Sequence, residues 1–251
     1  RSSDLIGDLA DTVHVKSDQA EFRDYFRKWF VGILPALLDD TVVNHEILVL
    51  IGEQGLYKTT WFNFLLPPEL RCYFYTKTNS DRLNKDDLFS LTEFALICFE
   101  ELDGMRPAEL NQLKAMVTMP YVNERAAYGR NKERHPHIAS FCGTGNNVQF
   151  LTDPTGNRRW LPFEVSQIRD PHLHAIPYEL VYSQAYALWK SGFCHWFSQE
   201  EIRKLNMHNS RFEVPNLEED LIRTHFRKPF EGEAGIFVTA ADILEQISRS
   251  E

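Results

Sequence analysis

The segment GEQGLYKTT (52–60) holds residue types that grip phosphate. Gly52, Lys58 and Thr59 fit the pattern G-x-x-x-x-G-K-[ST], with Gly55 as a further glycine inside the loop. In such a loop the backbone N–H groups and the start of the following helix cradle the phosphates. Lys58 would reach the β- and γ-phosphates, and the Thr59 hydroxyl would sit on Mg²⁺ with Thr60 beside it. The pattern has one break, because Tyr57 stands where the last glycine belongs. Either a bulky residue pays roughly 1–3 kcal/mol for a positive φ, or the loop has another shape and the ring covers the nucleotide or a neighbouring subunit. A glycine turn ahead of an ordinary helix is the plain alternative.

Three further polar clusters follow apolar runs. ALICFEELD (95–103) ends in acids: Glu100 suits the Mg²⁺ shell through water, Glu101 suits orientation and deprotonation of an attacking water, and Asp103 suits a supporting role. A solvated acidic turn would read the same way. FCGTGNN (141–147) places Thr144, Asn146 and Asn147 past a third apolar run, where Asn146 would position the lytic water or touch the γ-phosphate. Glycine and asparagine are also ordinary turn formers. DPTGNRRWLPF (153–163) carries Arg158 and Arg159, a pair suited to neutralising charge on a transferring phosphoryl group, in cis or from a neighbour. Surface ion pairs would use arginines equally.

These groups must be delivered by strands and helices. EILVLIG (46–52) is a continuous apolar run ending at glycine, as expected of a strand buried on both faces of a parallel sheet. KTTWFNFLL (58–66) reads as a helix stopped by Pro67 and Pro68. RCYFYT (71–76) reads as a strand, and a helix begins near Asp86. The acid-ended run spans 93–104, a helix spans 106–119 with Pro107 in its first turn, and further strands cover 137–147 and 157–165. Strands alternating with helices predict an α/β fold with a parallel sheet. Such a sheet sends its strand ends to one edge. Ahead of it, 18–39 repeats Phe22, Phe26, Trp29 and Phe30 at helical spacing, and Pro35 is expected to break or kink that helix. Behind it, 176–192 and 198–212 read as helices, the second opened by Ser198 and Glu201. The segment 231–247 reads as the start of a helix-turn-helix or winged domain with Thr239 as a cap. The expected division is a helical segment over 1–44, a core over 45–168 and a helical region over 169–251.

The 251 residues suffice for one large core, and 43% hydrophobic with 13% aromatic content argues against disorder. A net charge of −9 excludes a surface that is basic throughout, so nucleic-acid contact needs a local patch. No run spans a membrane. Cys72, Cys98, Cys142 and Cys194 are scattered in apolar stretches without a CxxC pair, as expected of buried reduced thiols in a cytoplasmic protein rather than a zinc site. His195, His208 and His225 lack ligand spacing and read as surface or packing residues. The basic patch is ERAAYGRNKERHPH (124–137), where Arg125, Arg130, Lys132 and Arg134 surround Tyr128. Cations around an aromatic suit a phosphate backbone and a stacked base. A solvated loop is the alternative, since Glu124 and Glu133 offset part of the charge.

The run from Leu113 to Val165, with Leu113–Lys114 on a helix, the basic segment Arg125 to Arg134, Thr144–Asn146 and Arg158–Arg159–Trp160, resembles the virulence-associated protein E (VirE) family. That family is related to the superfamily 3 helicases within the AAA+ P-loop ATPases. With the acids and the phosphate loop included, the resemblance covers roughly residues 45–166. It implies an AAA+-like fold, ATP and Mg²⁺ as ligands, and a motor on single-stranded DNA used in phage or mobile-element replication. It further implies a homo-oligomeric ring, hexameric in the full-length protein, beside a primase module, with Lys114 joining the DNA-contacting cations. A regulatory P-loop ATPase acting on protein partners and a non-hydrolysing scaffold are the alternative readings.

Overall fold

Strand character is strongest where branched apolar residues run without a polar break, and those runs build the centre of the fold. The computed structural model describes residues 4–78, 85–124, 133–152, 157–215, 217–230 and 232–248. In chain order the first elements are α1 (Leu5–Ala10), β1 (Val13–Val15), α2 (Gln19–Leu38), β2 (Ile47–Ile51) and α3 (Lys58–Leu65). Next come β3 (Phe74–Lys77), α4 (Lys85–Glu93), β4 (Leu96–Phe99), α5 (Pro107–Val117), β5 (Tyr121–Glu124) and β6 (Glu133–Pro136). The last are β7 (Ser140–Gly145), β8 (Trp160–Ile168), α6 (Tyr178–Lys190), α7 (Gln199–Asn209), α8 (Leu217–His225) and α9 (Ala240–Ser248).

Among the described residues six strands form one sheet in the order β1-β8-β2-β7-β4-β3. All its pairings are parallel except β1 with β8. This is the α/β class expected. β2 lies at the centre with every residue buried, because both faces are covered. Leu48 and Leu50 pack into one core with α2, α3 and α6, while Ile47, Val49 and Ile51 pack into the other with α5. That split is the two-residue period of a strand. Two side-chain bonds tie the first layer down: Trp29 Nε1 donates to the Phe141 carbonyl at 2.8 Å, and Trp61 Nε1 donates to Thr12 Oγ1 at 2.8 Å. β5 and β6 form a separate antiparallel pair.

Several expectations need correction. Pro35 does not end α2, which runs on to Leu38. Proline there forgoes only its own N–H bond, three residues from the helix end, and the Asp39 N–H still reaches the Pro35 carbonyl. The expected strand at 71–76 starts later, because Pro68–Tyr73 form a 3₁₀ turn and β3 begins at Phe74. Of the four free cysteines only Cys98 and Cys142 are buried; Cys72 is exposed and Cys194 half-buried. The caps at Ser198 and Thr239 form as expected, with Glu201 N–H on Ser198 Oγ and Asp242 N–H on Thr239 Oγ1.

The chain packs as two units, residues 1–213 and 214–251. Residues 1–44 and α6–α7 share the first unit with the sheet. The second unit consists of α8 and α9 with their connection, and it exposes Ile236 and Phe237. No helix among the described residues is long and apolar enough to cross a membrane.

Candidate functional site

Parallel register decides where the polar clusters meet. Ile51 pairs with Gly145 and Phe99 with Gly143, so β2, β7 and β4 end at one rim of the sheet. Gly52, Asn146 and Glu100 each lie one residue past those strand ends. Residues from all three loops line a cleft of about 360 Å³, within the ordinary size range of small-molecule sites.

Lys58 is the first residue of α3 and is buried at 9% exposure. Its ammonium donates to the Gly52 carbonyl at 2.5 Å and the Glu53 carbonyl at 2.7 Å, and stands 3.5 Å from Asn146 Oδ1. Burial holds its pKa below the usual lysine range, opposed by the charge of Asp103. Thr59 Oγ1 donates to Glu100 Oε1 at 2.7 Å. The loop's shape comes from Gly55, at φ 85 with open space around it, and from Tyr57, which adopts φ 59 and ψ 18 as a real side chain in the left-handed region. Tyr57 therefore takes the strained form of the two alternatives, and its ring is exposed at the edge of the cleft. Thr60 is also on the cleft wall.

The acids divide their roles. Glu101 has φ 56 and, with Tyr57, is one of two non-glycine residues at positive φ among the described residues; both border this cleft. Strain of this kind concentrates at functional sites. Asp103 does not enter the cleft: its carboxylate accepts the N–H groups of Asn146 and Asn147 at 3.1 and 3.2 Å. It thus ties the loop after β4 to the loop after β7 and holds Asn146 beside Lys58. The backbone of Glu100 is pinned by its N–H on the Lys77 carbonyl at 2.9 Å. Lys77 itself pairs with Asp87 at 2.6 Å, both buried. That ion pair was not legible in the sequence, because a single lysine at the end of a short strand carries no spacing signal.

The donors gathered in the cleft match what Mg²⁺ and a triphosphate require. A threonine hydroxyl and a carboxylate within hydrogen-bond reach are hard oxygen donors of the kind Mg²⁺ takes. A buried ammonium held by two loop carbonyls and the Asn146 side-chain oxygen can exchange these neutral acceptors for charged phosphate oxygens. The residues fit the group.

Other expected site residues lie elsewhere. Trp160 pairs with Ile47, so Arg158 and Arg159, just ahead of β8, lie at the opposite rim of the sheet from the cleft. The five residues of β2 between them amount to roughly 15 Å. Burial, then the charge of Arg158, holds the pKa of Arg159 below the ordinary arginine value, and among the described residues no carboxylate pairs with either. Lys114 is buried on α5, which leaves it little surface. Arg134 on β6 stacks its guanidinium 3.4 Å from the ring centre of Tyr121 on β5. Arg125, Tyr128, Arg130 and Lys132 lie outside the described residues.

The model of the virulence-associated protein E-like domain matches residues 2–214. The chain belongs to that family. The match extends beyond the motif-bearing stretch on both sides and ends where the first compact unit ends. The helices on either side of the sheet are thus part of the family domain. No curated protein matches the sequence significantly. Among solved structures the chain is similar to the apo structure of the NrS-1 C-terminal region (305–718), at TM-score 0.51 and 12% identity over 99% of this chain and 62% of that one. An A-form apo structure of the same region gives TM-score 0.52 at 12% identity, over 90% of this chain and 54% of that one. At that identity the likeness concerns the fold alone, and this chain spans less than two thirds of either neighbour.

Proposed function

We propose that this virulence-associated protein E-like domain is the ATP-hydrolysing core of a motor acting on single-stranded DNA in phage or mobile-element replication. The observation that carries the reading is the meeting of Lys58, Thr59, Glu100 and Asn146 in one cleft from three separated strand ends. Gly52, Gly55, Tyr57 and Thr60 would shape the loop around the phosphates. Lys58 would exchange its carbonyl partners for β- and γ-phosphate oxygens. Thr59 and Glu100 would hold Mg²⁺, which when bound neutralises phosphate charge. Glu101 would take the proton of the attacking water, and Asn146 would position that water. Arg158 and Arg159 lie too far from the cleft of their own chain and would serve a neighbour's in a homo-oligomeric ring, hexameric in the full-length protein, with a primase module beside it. Arg134 with its stacked Tyr121, together with Arg125, Tyr128, Arg130 and Lys132, would face the DNA. Such a motor would work in the cytoplasm.

The test is ATP turnover with and without single-stranded DNA. The reading expects stimulation by DNA, loss in Lys58→Ala and Glu101→Gln, and retention of ATP binding in Glu101→Gln. Turnover indifferent to DNA would instead mark a regulatory ATPase with protein partners, and no nucleotide binding would mark a scaffold.

A further inference from the structure

We infer that Asn209, the last residue of α7, is a positioning residue for the turn that presents Arg158 and Arg159, which rests on those arginines acting at a triphosphate as proposed. The need for such a residue follows from the sheet. β8 pairs with β2 from Trp160 to Glu164, but β1 covers its outer edge only from Val165 onward. Alternate residues of a strand turn their carbonyls to the same edge, so Trp160, Pro162 and Glu164 share one. The Glu164 carbonyl shows which edge, because it accepts the Lys16 N–H from the β1 side at 2.8 Å. The Trp160 and Pro162 carbonyls therefore face an edge that no described strand covers, and buried carbonyls there need other donors. The end of α7 supplies them from side chains. His208 Nε2 donates to the Pro162 carbonyl at 2.6 Å, while Nδ1 stands 2.9 Å from Glu21 Oε2. A carbonyl only accepts, so Nε2 carries the hydrogen. Asn209 Nδ2 donates to the Trp160 carbonyl at 3.0 Å and to the Asn157 carbonyl at 2.7 Å.

Those last two carbonyls bracket the arginine pair: Asn157 precedes Arg158, and Trp160 follows Arg159. One amide thus spans the turn, and because both partners are acceptors its orientation is fixed. Asn209 is fully buried, and its Oδ1 has no partner among the described residues. An apolar side chain in that space would avoid leaving a buried oxygen unpaired, so packing alone does not account for an asparagine. The two donated bonds do. The front of the turn is held a second time, by Asn157 Nδ2 on Glu213 Oε1 at 2.8 Å. Arg158 is exposed and Arg159 half-buried, two adjacent like charges that favour splaying apart. A guanidinium aids phosphoryl transfer only from a fixed place, and a displacement of about 1 Å is enough to slow the reaction. The turn lies at the opposite rim from the Lys58 cleft, so Asn209 acts through the arginines without touching the phosphate loop of its own chain. α7 lies inside the family match.

The experiment reads ATP affinity by titration, and kcat and KM for ATP turnover. Asn209→Asp keeps the shape of the side chain but removes both donors and sets a carboxylate against two carbonyls. It should lower kcat on the order of ten- to a hundredfold through misplacement of the guanidinium groups, with KM and ATP affinity near those of wild type. Mixed with Lys58→Ala chains, which keep the arginine turn intact, Asn209→Asp chains should turn over ATP well above either population alone. A chain that had merely misfolded would give no such recovery. A second pair of variants tests the other hold on the turn. Glu213→Ala should lower kcat in the same way but less, and Glu213→Gln, whose amide oxygen still accepts from Asn157 Nδ2, should restore it. Wild-type kcat in Asn209→Asp would overturn the inference alone. So would a loss of ATP affinity in parallel with kcat and no recovery in the mixture, or a Glu213→Gln chain as slow as Glu213→Ala. Wild-type kcat in chains carrying Arg158→Gln and Arg159→Gln would instead remove the proposed role of the arginines, and this inference with it.

Discussion

Tyr57 shows how a single side chain can disagree with its backbone. A tyrosine in the left-handed region costs about 1–3 kcal/mol, and glycine returns part of that gain through its freer unfolded chain. Tyr57→Gly should therefore stabilise the protein by roughly 1 kcal/mol, a rise of about 2–4 °C in Tm by calorimetry. A fall in Tm would show that the ring makes contacts worth more than the strain. Glu46 gives a second residue-scale expectation. Burial pushes its carboxyl up to about 7, above the ordinary carboxylate range. The native state then holds a proton that the unfolded state has already released, so this group's contribution is full at acid pH and is lost as pH rises from about 4.5 through 7. The Tm of wild type relative to Glu46→Gln should accordingly fall between pH 5 and pH 8, and a flat difference would contradict the assignment.

Elements explain why some of the site was legible and some was not. The loop-bearing strand, the acids and the asparagine could be read because buried parallel strands are continuous apolar runs and their polar ends stand out. Register turned those ends into neighbours, which no single motif states. Local pattern misled where a proline stood near a helix end, as at Pro35, and where a 3₁₀ turn borrowed apolar residues, as at 68–73. β1 is only three residues long and gave no periodicity to detect. The Asp103 clasp and the Lys77–Asp87 pair depend on contacts 10 to 44 residues apart in sequence, beyond the reach of spacing arguments. Packing under the acid loop yields its own prediction. A Cβ on Gly143 of β7 would collide with the Leu102 side chain and stand 3.3 Å from the Phe99 carbonyl. Gly143→Ala should cost about 1–3 kcal/mol, seen as a lower Tm, and should reduce ATP turnover by shifting Glu100 and Glu101. Unchanged melting would mean that the loop after β4 yields freely.

The molecule as a whole divides at residue 214, and the family match stops at the same place. A chain cut after Glu213 should keep a single cooperative melting transition within a few degrees of the parent, and broad non-cooperative melting would show that α8 and α9 belong to the core. At this scale one rim of one sheet gathers a lysine, a threonine, a glutamate and an asparagine from loops as much as 88 residues apart. The most direct measurement is calorimetric titration of ATP with and without Mg²⁺ into wild type, Lys58→Ala and Thr59→Ala. Saturable binding to wild type that is lost in Lys58→Ala, with the Mg²⁺ enhancement alone lost in Thr59→Ala, is the predicted result. Equal binding by all three proteins, or none by wild type, would contradict it.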